Sequence, residues 1–266
     1  MSPPPAKCKR AESAPIKHSA RWFDDGNVVL QAENTQFRVH WSVLALHSSV
    51  FRDMRGLPKP LDEPNVDGCP IVKLPDDRAI DVEYLLDALY DGPTFLGQTT
   101  LPLAAIGAFI RLGRKYDFKN VLNLAVARVT AEYPTTLEKY DAMRQFQTIQ
   151  AYDGIEFDMV TLLRQNKIFS ALPCACYRAV HLETLGNLFE KIPQKDGTCA
   201  YLSEADLRTC AVGHQTLSHK QFEPGYTFGW AREEVTDCTS LARRRASREK
   251  PLCCLHSACQ RIYDCW

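Results

Sequence analysis

Apolar and polar positions along this chain change their period several times. In Asn27-Val28-Val29-Leu30, Val28 and Leu30 alternate with their neighbours, which predicts a β-strand. Glu33-Asn34-Thr35 is polar and suits a hairpin turn, and Phe37 and Val39 then alternate with Gln36, Arg38 and His40 in a second, half-buried strand. From Ser42 the spacing becomes three and four. Val43, Leu46 and Val50, with Leu44 and Phe51 beside them, share one face of a single helix reaching Met54, and Ser42 is placed to cap its first turn. Residues 55–70 carry Pro58, Pro60, Pro64 and Gly68 and read as a loop, followed by a short strand Ile71-Val72-Lys73-Leu74 and a turn at Pro75-Asp76-Asp77. Val82, Leu85, Leu86 and Leu89 form a helical stripe, with Asp81 near the exposed N–H groups of its first turn and Asp91-Gly92-Pro93 at its end. Pro102 opens a helix carrying Ile106, Phe109, Ile110 and Gly113. Val121, Leu122, Ala125, Val126 and Val129 supply another, before Pro134.

The second half is predominantly helical in pattern. Thr135 and Glu138 have capping-box spacing ahead of Leu137, Tyr140 and Phe146, and Asp153-Gly154 breaks that helix. Met159, Leu162 and Leu163 continue a helical pattern to Phe169, and Pro173 opens a further helix through Phe189. Asp196-Gly197 is a turn, and Ser203 with Asp206 again has capping-box spacing before Leu207, Cys210, Ala211 and Leu217.

Several of these residues resemble the BTB (POZ) domain. They are Asp25-Gly26-Asn27-Val28-Val29-Leu30, Phe37-Arg38-Val39-His40, Leu44, His47-Ser48 and Val50-Phe51-Arg52-Asp53-Met54. Further on, Val82 to Tyr90 is similar to the family's third helix, and Gly113, Lys115, Tyr116 and Asp117 resemble the family's alanine/glycine-x-lysine-tyrosine signature. The likeness is greatest to the BTB proteins abundant in mushroom-forming fungi, and the order Thr198 to Gly213 is similar to the region beyond the domain in that group. The resemblance implies an α+β fold, a small sheet with clustered helices, and a domain that binds other proteins and performs no chemistry. Many animal members exchange a helix that precedes the first strand to make a dimer. Residues 1–20 show no such helix, so the swapped homodimer is not evident from the sequence.

Composition narrows the classes further. Of 266 residues, 45% are apolar and 24% charged, as in a soluble globular protein. No apolar run reaches membrane-spanning length, and the N-terminus lacks a signal-peptide core, so the expected location is intracellular, in cytoplasm or nucleus. Lysine plus arginine (32) equals aspartate plus glutamate (32), which leaves no global field to draw in nucleic acid. Lys7, Lys9 and Arg10 read as part of a solvated tail. The run Arg243-Arg244-Arg245 with Arg248 is offset by Glu233, Glu234 and Asp237.

Two candidate sites remain. In cullin-binding BTB proteins this same loop holds an apolar residue, any residue and a glutamate, and that triplet contacts the cullin scaffold. Leu61-Asp62-Glu63 has that form in that place, against the plainer reading of a solvated loop, since three residues match easily by chance. The second lies at the C-terminus. Five of the eleven cysteines fall within residues 238–266, with His256 among them. Cys238, Cys254, Cys259 and Cys265 are candidate zinc ligands, although no Cys-x-x-Cys knuckle supports them, and a tail of reduced thiols is the competing reading. Cys174 and Cys176, two apart on a helix, point in different directions and read as small buried apolar residues. His181, His214 and His219 have no catalytic spacing. No phosphate loop, Gly-x-Gly-x-x-Gly or His-Glu-x-x-His occurs, so no enzyme is expected.

The expected organisation is a disordered tail over 1–20, a BTB/POZ domain over 21–133, an all-α region over 134–230 and a basic, cysteine-rich tail over 231–266. The expected function is protein–protein interaction, with a substrate adaptor of a cullin-type ubiquitin ligase as the sharper form. The rival is a zinc- or nucleic-acid-binding regulatory protein that uses the C-terminal segment.

Overall fold

The computed structural model describes residues 15–57, 64–143, 146–226 and 228. The first strands are β1 (Lys17–Trp22), β2 (Val28–Ala32) and β3 (Thr35–Val39). β2 and β3 form the expected antiparallel hairpin, with Val28 opposite Val39 and Leu30 opposite Phe37. Its turn needs a left-handed residue, which Glu33 supplies at φ 50°. β2 is buried on both faces, Val29 as completely as Val28, because it is the central strand of five.

β1 corrects the reading of 1–20 as a disordered tail, since residues 17–20 already belong to it. It runs parallel to β3, Lys17 beside Thr35 and Trp22 beside Arg38, with an irregularity between His18 and Trp22. Its side chains are largely exposed, so main-chain pairing holds it in place and leaves little apolar pattern to read.

A second difference lies in the helix expected from Ser42. The chain forms α1 (Trp41–His47) and α2 (Ser49–Arg55), separated at Ser48, whose backbone is extended. Ser42 lies inside α1 and caps nothing. Ser48 is the cap, accepting from the Phe51 N–H at 3.0 Å and donating to the Tyr116 carbonyl at 2.5 Å.

The residues read as a loop over 55–70 include a further hairpin, β4 (Asn65–Val66) with β5 (Cys69–Lys73), turned by Asp67 and Gly68, both at positive φ. β5 pairs parallel with β2, which gives the sheet order β1-β3-β2-β5-β4. α3 (Ala79–Tyr90), the short α4 (Gly92–Leu96), α5 (Leu103–Lys115) and α6 (Lys119–Glu132) follow.

α7 (Leu137–Ala142) is capped by Thr136, one residue after the expected Thr135. α8 (Ile155–Gln165) stops four residues before Phe169. The helix expected from Pro173 through Phe189 is two, α9 (Leu172–Leu182) and α10 (Leu185–Phe189), because Thr184 caps a new start on the Asn187 N–H at 3.2 Å. Nor is this region all-α: β6 (Ile192–Pro193) and β7 (Cys199–Ala200) make a small hairpin around Asp196 and Gly197. α11 (Glu204–Lys220) closes the described elements, capped as expected by Ser203 on the Asp206 N–H at 3.2 Å.

By its contacts the described chain forms two compact units. One takes the residues up to Gln98 together with Gly107–Asn123, and the other takes Thr99–Ile106 and the residues from Leu124 onward. The first has a core of Val28, Leu30, Phe37, Leu44, Phe51, Leu86 and Phe109, each at most 1% exposed. The second is built on α8, α9 and α11 around Arg178, which is fully buried. A charge there requires pairing. Arg178 donates to Glu156 from Nε (3.0 Å) and Nη2 (2.6 Å), and to the Glu132 carbonyl at 3.0 Å. Its guanidinium lies over the Tyr133 ring at 4.5 Å, and the Tyr133 hydroxyl donates to Glu156 at 3.0 Å.

Candidate protein-interaction surface

The family-like residues of the first unit converge on a groove of 270 Å³. His47, the last residue of α1, forms part of one wall. Leu89 and Tyr90 at the end of α3 contribute another, and Phe118 with Asn120 and Val121, around the start of α6, complete it. The walls are mainly apolar with a few polar groups at hand, as suits an inserted side chain of a partner.

Each wall is held from behind. The Tyr90 hydroxyl accepts from the His40 backbone N–H at 2.8 Å and lies 3.1 Å from His40 Nδ1, while Phe23 stacks on the Tyr90 ring at 4.6 Å. Burial pushes the Tyr90 hydroxyl pKa up. His40 Nε2 reaches Asp25 at 3.1 Å, and that hydrogen bond holds the Asp25 carboxyl below its ordinary range. Arg21 pairs with Asp87 and Asp91 and so ties β1 to the end of α3.

The second brace is the run from Gly113 to Asp117. A Cβ on Gly113 would meet Leu122 Cβ at 2.9 Å, so the close approach of α5 and α6 needs a small residue there. Lys115 pairs with Asp77 at 2.9 Å, and the Tyr116 hydroxyl donates to the same carboxylate at 2.5 Å. Asp117, at φ 57°, accepts from the Ser49 hydroxyl at 2.5 Å. Asp81 lies in the first turn of α3, as expected, and is in addition buried and held by Arg111 Nε and Nη2, each at 2.9 Å.

Leu61 and Glu63 lie outside the described residues, between α2 and β4. Cys238, Cys254, Cys259 and Cys265, the zinc candidates, lie outside them as well. Among the described residues no group of three or more His, Cys, Asp or Glu could hold a metal ion, and no helix is long and apolar enough to cross a membrane. Cys174 and Cys176 are both fully buried and face different neighbours, as their spacing requires. The groove itself carried no sequence signal, because its lining comes from residues more than seventy positions apart.

No curated protein matches the chain. Residues 21–130 match the family model of the BTB/POZ domain, and the hairpin, the paired helices and the braced groove lie within that stretch. This chain carries a BTB/POZ domain, a module for protein–protein interaction.

Proposed function

We propose that the domain captures a helical segment of a partner in the groove between His47, Leu89 and Phe118, and that the partner is the scaffold of a cullin-type ubiquitin ligase. The protein then acts as a substrate adaptor and works by binding rather than by catalysis. The observation that carries this reading is an apolar groove of side-chain size in a protein-interaction domain, with its walls fixed by buried and half-buried hydrogen bonds. Leu61 and Glu63 supply the second contact, an apolar anchor and a charge.

Co-purification of full-length protein with a cullin N-terminal domain tests it. The double variant Leu61→Ala, Glu63→Ala is expected to keep its circular dichroism spectrum and lose the cullin. Asn120→Trp, at an exposed position on the groove, is expected to do the same by filling it. Undiminished capture by both variants removes the groove and Leu61 with Glu63 as the contacts, and failure of the parent protein to capture the cullin removes the cullin assignment and leaves the domain a binding module for some other protein.

A further inference from the structure

The second unit leaves an apolar ridge uncovered at α10. That helix buries only Leu188, while Leu185 and Phe189, one turn apart along it, are 46% and 63% exposed. Leu182, just ahead of it at the end of α9, is 45% exposed. The place of the ridge follows from the helices around it. Arg164 at the end of α8 pairs with Asp206 at the start of α11, and α9 begins a short link after α8 and packs along α11. α9 and α11 therefore start at the same end of this unit and run side by side. α10 follows α9 directly and packs on α11, so the ridge stands near the end of α11, from which the chain leads on to the C-terminal segment.

Carboxylates bracket the ridge. Glu183 precedes α10 and accepts from the Asn187 side-chain amide at 2.9 Å, and Glu190 follows it, exposed. The cations at this end have other contacts: Lys191 lies over the Tyr201 ring at 5.2 Å, and Lys220 pairs with Glu223 at 3.8 Å. His181 stacks on Tyr177. Residues 243–255 have the reverse chemistry. Arg243-Arg244-Arg245, Arg248 and Lys250 are offset there by Glu249 alone, and Leu252 and Leu255 follow. That stretch is also within reach. Residues 229–242 connect it to the end of the described chain, and about fourteen residues span up to about 50 Å, against about 8–10 Å between the axes of packed helices. The tether holds it near the ridge at a high effective concentration, which a free partner has to match.

We propose that residues 243–255 of the same chain dock on α10, with Leu252 and Leu255 covering Leu185 and Phe189 and the arginines facing Glu183 and Glu190. Docking takes the exposed Phe189 ring out of water and seats the cysteine-rich end of the sequence against the second unit. A second copy is a poorer occupant, because two ridges related by a two-fold axis would set like carboxylates against each other.

The test places the photo-crosslinker p-benzoylphenylalanine at position 189 of the full-length protein, irradiates it and maps the products by mass spectrometry. The expected result is a crosslink from position 189 to a peptide within 243–255, on a species of monomer mass. Glu183→Arg with Glu190→Arg should lower its yield about fivefold, and Arg243→Glu, Arg244→Glu and Arg245→Glu on that background should restore it. Capture of a second copy, of residues outside 243–255, or of nothing overturns the proposal, and so does a yield that ignores the charge reversals. The probe at Phe169, 58% exposed just ahead of α9 and so at its far end from α10, is the control. Equal capture of 243–255 from that position also overturns the docking. Both probe positions are exposed, so the crosslink map does not depend on whether a charge variant folds.

Discussion

His40 makes three connections from one position. Its backbone N–H and its Nδ1 both meet the Tyr90 hydroxyl, and Nε2 meets Asp25. The histidine thus joins the end of the β2–β3 hairpin to a wall of the groove, which is a structural duty. The contact with Asp25 has a measurable consequence. The hydrogen bond from His40 depresses the Asp25 carboxyl below its ordinary 3.8, so the folded state holds its proton less firmly than the unfolded chain does. The resulting stabilisation is fully present above the unfolded value and is lost as pH falls through the lower, folded one. Asp25 is exposed, so the stability term is small and the titration itself is the better readout. In carboxyl-carbon NMR, His40→Gln should move the Asp25 midpoint up towards its ordinary value. An unmoved midpoint would assign the depression to Arg38 and the backbone instead.

Among the elements, the break at Ser48 is the most instructive. A continuous apolar stripe from Val43 to Phe51 predicts one helix, and nothing in that stripe reveals that Ser48 turns away to bond Tyr116, sixty-eight residues on. The two readings assign the capping serine differently, so two substitutions separate them. Ser48→Ala removes the cap of α2 and leaves a buried carbonyl without its donor, which should cost about 1–3 kcal/mol in urea unfolding. Ser42→Ala, exposed within α1, should stay within about 0.5 kcal/mol of the parent. The reverse order of effects would restore the single helix.

The same contrast explains what was legible. The β2–β3 hairpin could be read because its buried apolar residues flank a short polar turn, although β2 is buried on both faces and its alternation is incomplete. β1 could not, because Lys17, His18 and Ala20 are exposed and leave no buried apolar face to read. The β4–β5 turn did carry a signal, Asp67-Gly68, but the prolines around it and at Pro70 masked it; Pro70 is tolerated because it pairs only with the two-residue edge strand β4. Helix starts with a hydroxyl cap, such as Ser203, were readable, while the interruption at Thr184 lay inside an unbroken apolar pattern. Of the candidate site, the residues that brace the groove were legible as family-like positions, but the groove was not, since it exists only after α1, α3 and α6 meet.

At the scale of the whole molecule, the limit of the family match and the limit of the compact units differ. The match ends at residue 130, within α6. Yet residues 99–106 and those from 124 onward take their partners from the second half of the chain. Leu101 exchanges main-chain hydrogen bonds with Thr148 and Gln150 at 3.0 and 2.9 Å, and Arg128 donates to the Thr148 carbonyl at 2.8 Å. The Glu132 carboxylate accepts from the Phe146 and Thr148 N–H groups at 2.8 and 2.6 Å, and Arg178 closes on the Glu132 carbonyl. A chain cut at 130 loses all of these and exposes Leu101, Ala125 and Val129, which are otherwise fully buried. Leu101 and Val129 then each remove about 1.5–3 kcal/mol and the Ala125 methyl about 0.8, a sum that approaches the stability of a small domain. A chain of residues 15–130 should therefore unfold at lower urea than one of residues 15–228, and with a shallower transition. Equal midpoints for the two would show that the BTB/POZ stretch folds without the helices beyond it.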